Sequence, residues 1–260
     1  MPYLIEVKHL HRAARACMRR ASSPGVDGMS WASYRQGLRE RLAKLAERLR
    51  DGSWQPGPLR YVVIPTYTGK PMPSVIPTVA DRVVHRAMRM AVEPVLEASA
   101  FAEWVSGYRP RRNRLTALRQ AVAYLDAVFR WVADVDVASV SAGSHAGEVT
   151  DWLAVHVRDG SFLARFRTAL AGLPEPIVPG TGLAPLLINL RLSHVDAQLG
   201  QLRVVRFADN YCAFAPTRAE AEAAFDAITA ALATVGLEPN AEKSRIRAGA
   251  CAEDLFLIAG

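Results

Sequence analysis

Apolar positions along this chain switch between two spacings, and each switch marks an element. Over residues 4–20, and again from Trp31 to Arg50, apolar residues recur every three to four positions, the period of an amphipathic helix. Between them SSPGVDGMS (22–30) reads as a turn from which Ser30 caps the second helix, and Asp51-Gly52 stops it. In the Pro-punctuated stretch that follows, Leu59–Ile64 reads as a strand, Tyr67–Lys70 as a turn and Val75-Ile76 as a second, short strand. Thr78–Glu97 returns to the helical period with Val79, Val83, Ala87, Met90, Ala91 and Pro94 as its stripe, and Leu115–Phe129 is a further helix. Trp131–Val137 alternates as a strand, which puts Asp134 and Asp136 on one side. Helices are expected at Glu148–Val157, at Phe162–Ala171, after a glycine-rich start within 180–200, and at Thr217–Val235. Ser244–Arg247 and Leu255–Ile258 read as short strands.

RFADNYCAF (206–214) stands out from this pattern. Two apolar, β-prone runs flank Asp209-Asn210, a pair whose side chains tolerate positive φ and so suit a tight hairpin turn. A carboxylate on a rigid hairpin tip can hold Mg²⁺; an ordinary turn accounts for the pair equally well when it is taken alone. The element order is helical first, then strand, helices, hairpin, helix and strand, an α+β layout with no repeat or low-complexity linker.

At 260 residues, 50% hydrophobic and 22% charged, the chain reads as a globular protein that can bury a sizeable core. No apolar run reaches the ~20 residues needed to cross a bilayer, and no signal peptide is recognisable, so a cytoplasmic protein without a membrane partner is expected. Cys17, Cys212 and Cys251 have neither metal-ligand nor disulfide spacing, and none of the six histidines pairs with a carboxylate at metal-binding spacing. The net charge of +7 hides an asymmetry: residues 1–130 carry 22 Lys+Arg against 10 Asp+Glu, and residues 131–260 carry 10 against 15. A basic half attracts a polyanion and an acidic half can hold divalent metal. Arg109, Arg111, Arg112 and Arg114, beside a loop-like Tyr-Arg-Pro, are the densest candidate phosphate contacts.

Taken together the segments resemble bacterial reverse transcriptases of the group II intron and retron type. PGVDGMSWASY (24–34) resembles the family's P-G-x-D-G segment, LRYVVIPTYTGKPMPSVIPTVADRVVHRAM (59–88) its fingers signature, and SGYRPRRN (106–113) its S-x-G-F-R-P segment. WVADVDVASVS (131–141) falls where the first catalytic aspartate belongs, matched by Asp136, and PGTGLAPLLINLRLSHVD (179–196) resembles P-Q-G-x-x-x-S-P-L-L-x-N. RFADN occupies the Y-A-D-D position, while LEPNAEKSRI (237–246) and DLFLIAG (254–260) resemble the elements that close the palm. The resemblance implies a right-hand polymerase fingers–palm fold, with residues 1–130 as the helical and fingers region and 131–260 as the palm, its antiparallel sheet packed on helices. The chain ends where that family's thumb begins, which implies no thumb here or one supplied by a protein partner. Asp136 and Asp209 would hold up to two Mg²⁺ with Asn210 assisting, and Arg82 with the Arg109–Arg114 run would track an RNA or RNA/DNA hybrid.

Departures from the family cluster on the nucleotide. Its fingers lysine is Thr66 here, and the arginine beyond the turn lysine is Met72; Lys70 could substitute only from a different position. The aromatics after the first aspartate are Val140 and Ser141, the glutamine before Gly180 is Pro179, and the second aspartate of Y-A-D-D is Asn210. Losing two charge-assisted phosphate contacts, each worth roughly 1.5–3 kcal/mol, cuts catalysis by about 10²–10⁴. Three readings therefore stand: a nucleic-acid-binding protein with little or no turnover, an active RNA-directed or relaxed polymerase, and a non-catalytic subunit of a larger complex.

Overall fold

The computed structural model describes residues 2–20, 23–65, 71–125, 128–248 and 255. In chain order its elements are α1 (Pro2–Ile5), α2 (Val7–Met18), α3 (Trp31–Arg35), α4 (Leu38–Asp51), β1 (Arg60–Pro65), β2 (Pro71–Ile76), α5 (Val79–Ser99), α6 (Arg114–Leu125) and β3 (Trp131–Ala138). There follow α7 (Ala146–Ala154), α8 (Gly160–Ala171), α9 (Ala184–Asp196), β4 (Val204–Phe207), β5 (Asn210–Ala215), α10 (Arg218–Ala233), β6 (Glu238–Pro239) and β7 (Arg245–Ala248). The fold is α+β, and every pairing between these strands is antiparallel. Packing divides the chain into two compact units, Met1–Ser99 with Gly143–Leu187 and Ala100–Ala142 with Ile188–Gly260. This division by packing is of a different kind from the functional cut at residue 130 expected above. None of the described helices is long and apolar enough to cross a membrane.

In the first unit α2 packs on α4 and α5 and buries His9, Leu10, Ala13 and Ala14. His9 Nε2 lies 2.8 Å from the Ala87 carbonyl, so this histidine belongs to the interior. Ser30 caps α3 by accepting from the Ser33 N–H. The single helix expected from Trp31 to Arg50 is two, because Gly37 at φ 69° interrupts it, a backbone that glycine adopts at little cost. The stripe of α5 also differs: Val79, Val83, Val84, Ala87, Met88, Val92 and Leu96 are buried, whereas Pro94 is exposed. Burial at four-residue steps follows the ridge that packs between the ridges of neighbouring helices, and it drifts off the straight 3.6-period line.

β1 and β2 pair from Arg60↔Ile76 to Pro65↔Pro71, so β2 begins four residues before the expected Val75. The Val75 N–H donates to the Pro179 carbonyl at 2.9 Å. Gly180 (φ 99°) comes so close to β2 that a Cβ there would stand 2.0 Å from the Val75 oxygen. One oxygen of buried Asp81 accepts from the Thr78 hydroxyl at 2.7 Å and the Gly57 N–H at 2.9 Å, anchoring the 57 loop on the first turn of α5.

The second unit holds a five-stranded sheet, β4-β5-β3-β6, with β7 also pairing β3. Alternation sorts its side chains. Ala133, Val135, Val137, Tyr211 and Ala213 pack with Leu192, Val195, Ile228 and Leu232 on one face. Val132, Val205, Cys212 and Phe214 pack with Ala117 and Ala121 of α6 on the other. α6 is described as far as Leu125, residues 126 and 127 of the expected helix lie outside the described residues, and Val128 and Phe129 are not helical. Of the expected strand Leu255–Ile258 only Leu255, which is buried, lies within the described residues.

Candidate functional site

The β4–β5 hairpin turns at Ala208-Asp209, one residue earlier than the composition of the turn suggested. Phe207 pairs with Asn210, and the positive φ (57°) belongs to Ala208 rather than to Asp209 or Asn210. Asn210 is held in the strand, opposite both Phe207 and Asp136.

Arg206, fully buried, fixes this turn. Its Nε and Nη2 form a fork onto the two Asp196 oxygens at 3.0 and 2.5 Å, and its Nη1 donates to the Asn189 amide oxygen at 2.9 Å and the Ala208 carbonyl at 2.6 Å. Tyr211 donates its hydroxyl to Asp196 at 2.9 Å, and Asn189 donates to the Gly107 carbonyl at 2.8 Å. The 104–107 segment runs beside β4, with the Ser106 N–H on the Arg206 carbonyl (2.8 Å) and the Arg206 N–H on the Trp104 carbonyl (3.1 Å). Gly107 lies so close that a Cβ there would be 2.0 Å from the Ala208 nitrogen. Sequence reasoning gave Asp196 and Arg206 no role. An arginine within the apolar run of a strand, ten residues after an aspartate, was the available signal.

On the other face the register places Asp136 opposite Asn210 and Asp134 opposite Cys212. Asp134 is fully engaged: Arg247 donates to it at 2.6 Å, the Asn210 amide at 3.1 Å and the Cys212 thiol at 3.8 Å. Asn210 thus turns its NH₂ to Asp134, while its oxygen lies 3.7 Å from the Cys212 sulfur.

Asp136 is gripped through its backbone. Its carbonyl accepts from the Asn240 N–H at 2.7 Å, and its N–H donates to the Ser244 hydroxyl at 3.1 Å. Asn240 builds a turn by accepting the Glu242 N–H on its side chain and the Lys243 and Ser244 N–H groups on its carbonyl. That turn brings Lys243 Nζ to 3.6 Å from the Asp136 carboxylate.

The Val137 N–H donates to the Asp209 carbonyl at 3.3 Å, tying the hairpin tip to the residue after Asp136. Burial raises the Asp209 carboxyl above the ordinary aspartate value; its own backbone N–H opposes the rise and the charge of Asp136 adds to it. Asp136 is raised by burial too, against the pull of Lys243. Tyr108, in left-handed backbone at φ 61°, has its hydroxyl pushed up first by burial and then by Asp209. Two desolvated carboxylates that share one lysine form a donor set that fits a divalent cation, since Mg²⁺ commonly takes one or two protein carboxylates and completes its shell with water and phosphate oxygens. Among the described residues no group of three or more His, Cys, Asp or Glu side chains could hold a metal.

The arginine run has mostly internal work. Arg109 is buried, donates to the Ala102 and Val105 carbonyls at 2.5 and 3.0 Å and lies over the Phe101 ring. Arg112 binds the backbone and carboxylate of Glu103, and Arg114 donates to the Leu255 carbonyl at 3.3 Å. Arg111 (φ 61°) is exposed. Arg82 belongs to the first unit, where it lies over the Trp31 ring and donates to the Ser23 carbonyl. Of the residues expected around a nucleotide, half-buried Met72 pairs with Ile64, and Pro179 and Gly180 abut Val75, all in the first unit. Ser141 follows β3 in the second, and Thr66 and Lys70 lie outside the described residues.

No protein-family model matches the chain. Curated proteins do. The chain is 32% identical over 197 residues to Protein YkfC of Escherichia coli (strain K12), a match that covers 69% of this chain and 50% of that protein. It is 26% identical over 180 residues to the Group II intron-encoded protein LtrA of Lactococcus lactis subsp. cremoris, covering 64% of this chain and 29% of LtrA. These matches agree with the family that the sequence resembles. The chain belongs to the reverse-transcriptase family of the group II intron type. A more distant member, the Putative COX1/OXI3 intron 2 protein of Saccharomyces cerevisiae, is 22% identical over 173 residues, 61% of this chain and 20% of that protein. This reverse-transcriptase-family chain spans about half the length of YkfC and less of the other two.

Proposed function

We propose that this protein binds RNA or an RNA/DNA hybrid as a reverse-transcriptase-like fingers–palm module with weak or no polymerase turnover. In this reading the five-stranded sheet is the palm and the β1–β2 hairpin belongs to the fingers. What supports it is the backbone hydrogen bond that ties Asp209 to the residue after Asp136, 73 positions away in sequence, together with the Asp136 charge that helps raise the Asp209 carboxyl. Asp136 and Asp209 would hold Mg²⁺, which when bound supplies charge stabilisation for phosphoryl transfer. The Arg206–Asp196–Asn189 network orients Asp209, the Asn240 turn holds Asp136, and Lys243 balances both carboxylates while no cation is bound. Weak turnover follows from Thr66 and Met72, which offer a triphosphate no positive charge. Asn210 adds to this, because its amide is committed to Asp134. The retained acidic pair favours a second reading, an active polymerase.

Primer extension with Mg²⁺ or Mn²⁺ separates the two, run on wild type, Asp209→Ala and Asn210→Asp beside RNA binding over a salt series. Expected are little or no extension by wild type, no gain from Asn210→Asp because the new carboxylate would face Asp134, and RNA affinity falling by ~0.7 log units per log unit of salt for each phosphate contacted. Vigorous extension that Asp209→Ala abolishes would establish the active polymerase. Absence of RNA binding at low salt would remove the proposal.

A further inference from the structure

Within the first unit, a cavity of about 240 Å³ opens between the end of α2, the N-terminal half of α5 and the 180–182 loop. Its charged lining consists of Arg20, Arg82, Arg86 and Arg89; no acidic side chain lines it among the described residues. Arg82, Arg86 and Arg89 stand on one face of α5 at helical spacing, and Arg20 reaches in from beyond the end of α2. The carboxylates that act on these guanidiniums, Asp27 on Arg82 and Glu93 on Arg86 and Arg89, lie outside the lining. Arg86 Nε is buried with no hydrogen-bond partner among the described residues. Burial, and then the neighbouring Arg89, push the Arg86 guanidinium down from its ordinary value. Concentrated, half-desolvated positive charge of this kind is stabilised by an anion with several acceptor oxygens, which planar guanidinium forks match bidentately. The volume lies below the ~300–1,000 Å³ usual for a whole small-molecule ligand, which selects a single phosphate group over an entire nucleotide. The loop wall leads into the N-terminus of α9, whose dipole also favours negative charge.

We propose that this pocket is a phosphate-binding site, in which Arg20, Arg82, Arg86 and Arg89 take one phosphate group. The group belongs either to a nucleic-acid strand or to free phosphate. The pocket's lining lies within the first unit and the carboxylate pair within the second, so the two are tested by different variants. It deepens the nucleic-acid reading where the phosphate is a strand's.

The pocket carries its own reporter. Cys17 lines it, with its thiol 3.6 Å from the Arg82 carbonyl. Iodoacetamide alkylation of the Cys17 peptide, read by mass spectrometry at constant ionic strength, is to be followed with a single-stranded RNA, with inorganic phosphate, and with polyglutamate, while anisotropy reports RNA binding in the same samples. Protection of Cys17 by at least threefold is expected from RNA or phosphate and not from polyglutamate, and Arg86→Gln should abolish it with an unchanged circular dichroism spectrum. Protection by millimolar phosphate alone identifies the free ion, and protection by RNA alone identifies a strand. RNA bound with Cys17 unprotected overturns the site and leaves the nucleic-acid reading standing. Phosphate protection without RNA binding does the reverse. Equal protection by polyglutamate, or protection that survives Arg86→Gln, also overturns the site.

Discussion

Arg206 carries its charge in the interior of the second unit and is tolerated there because every direction it points meets an acceptor. Asp196 accepts from Nε and Nη2, and Asn189 and the Ala208 carbonyl both accept from Nη1, so each of the three nitrogens is engaged. The pair is therefore tuned as a unit, and removing one member leaves the other buried and uncompensated. Asp196→Asn should cost about 3–5 kcal/mol in urea denaturation. Replacing both by apolar residues of similar volume, Arg206→Met with Asp196→Leu, should cost clearly less than the single change. Equal losses would mean that the network is not the coupled system described. Gly107 acts on the same turn from outside. A methyl group there would collide with the Ala208 backbone, so Gly107→Ala should lower stability by about 1–3 kcal/mol or more and displace Asp209.

At the scale of elements, helix breaks and strand registers show how far sequence pattern reaches. Gly37 adopts φ 69° with no atom within 4 Å of where its Cβ would be, so only the backbone conformation penalises a side chain there. Gly37→Ala should destabilise by about 1 kcal/mol, although alanine favours helix. A stabilised variant would mean that α3 and α4 merge into the one helix the periodicity suggests. That case shows why the break was not legible: periodicity in Trp31–Arg50 continues across it, and a single glycine signals either tolerance or a stop. The order of elements, the Ser30 cap and the placing of Asp134 and Asp136 on one side were legible, because alternation and capping are local rules. The hairpin turn was read one residue late, because Asp and Asn are the usual occupants of positive φ. Here Ala208 takes it, under constraints from Trp104–Gly107 and Arg206 that are remote in sequence or buried. The Arg109–Arg114 run looked like a phosphate contact for a similar reason, since composition cannot reveal that Arg109 and Arg112 bond to Ala102, Glu103 and Val105.

For the molecule as a whole the electrostatics make a statement about stability. Asp136 and Asp209 both have their carboxyls raised, so between the ordinary aspartate value and the raised one the folded state binds more protons than the unfolded state. Without a divalent cation the stability that these two groups contribute therefore falls as pH rises above about 4 through their raised values. A divalent cation bound by both ionised groups reverses this by stabilising the charged pair, by about 2.7 kcal/mol when present at 100 times its dissociation constant. Asp209→Asn relieves the repulsion, so it should raise the melting temperature in chelator at pH 7 and abolish the response to metal. A cation held by both carboxylates is tested by thermal unfolding at pH 7 of wild type and Asp209→Asn, each titrated with Mn²⁺ or Mg²⁺ from chelator. A melting temperature that climbs with metal in wild type and stays flat in the variant is the expected result. Identical curves for the two proteins would contradict a cation site shared by Asp136 and Asp209.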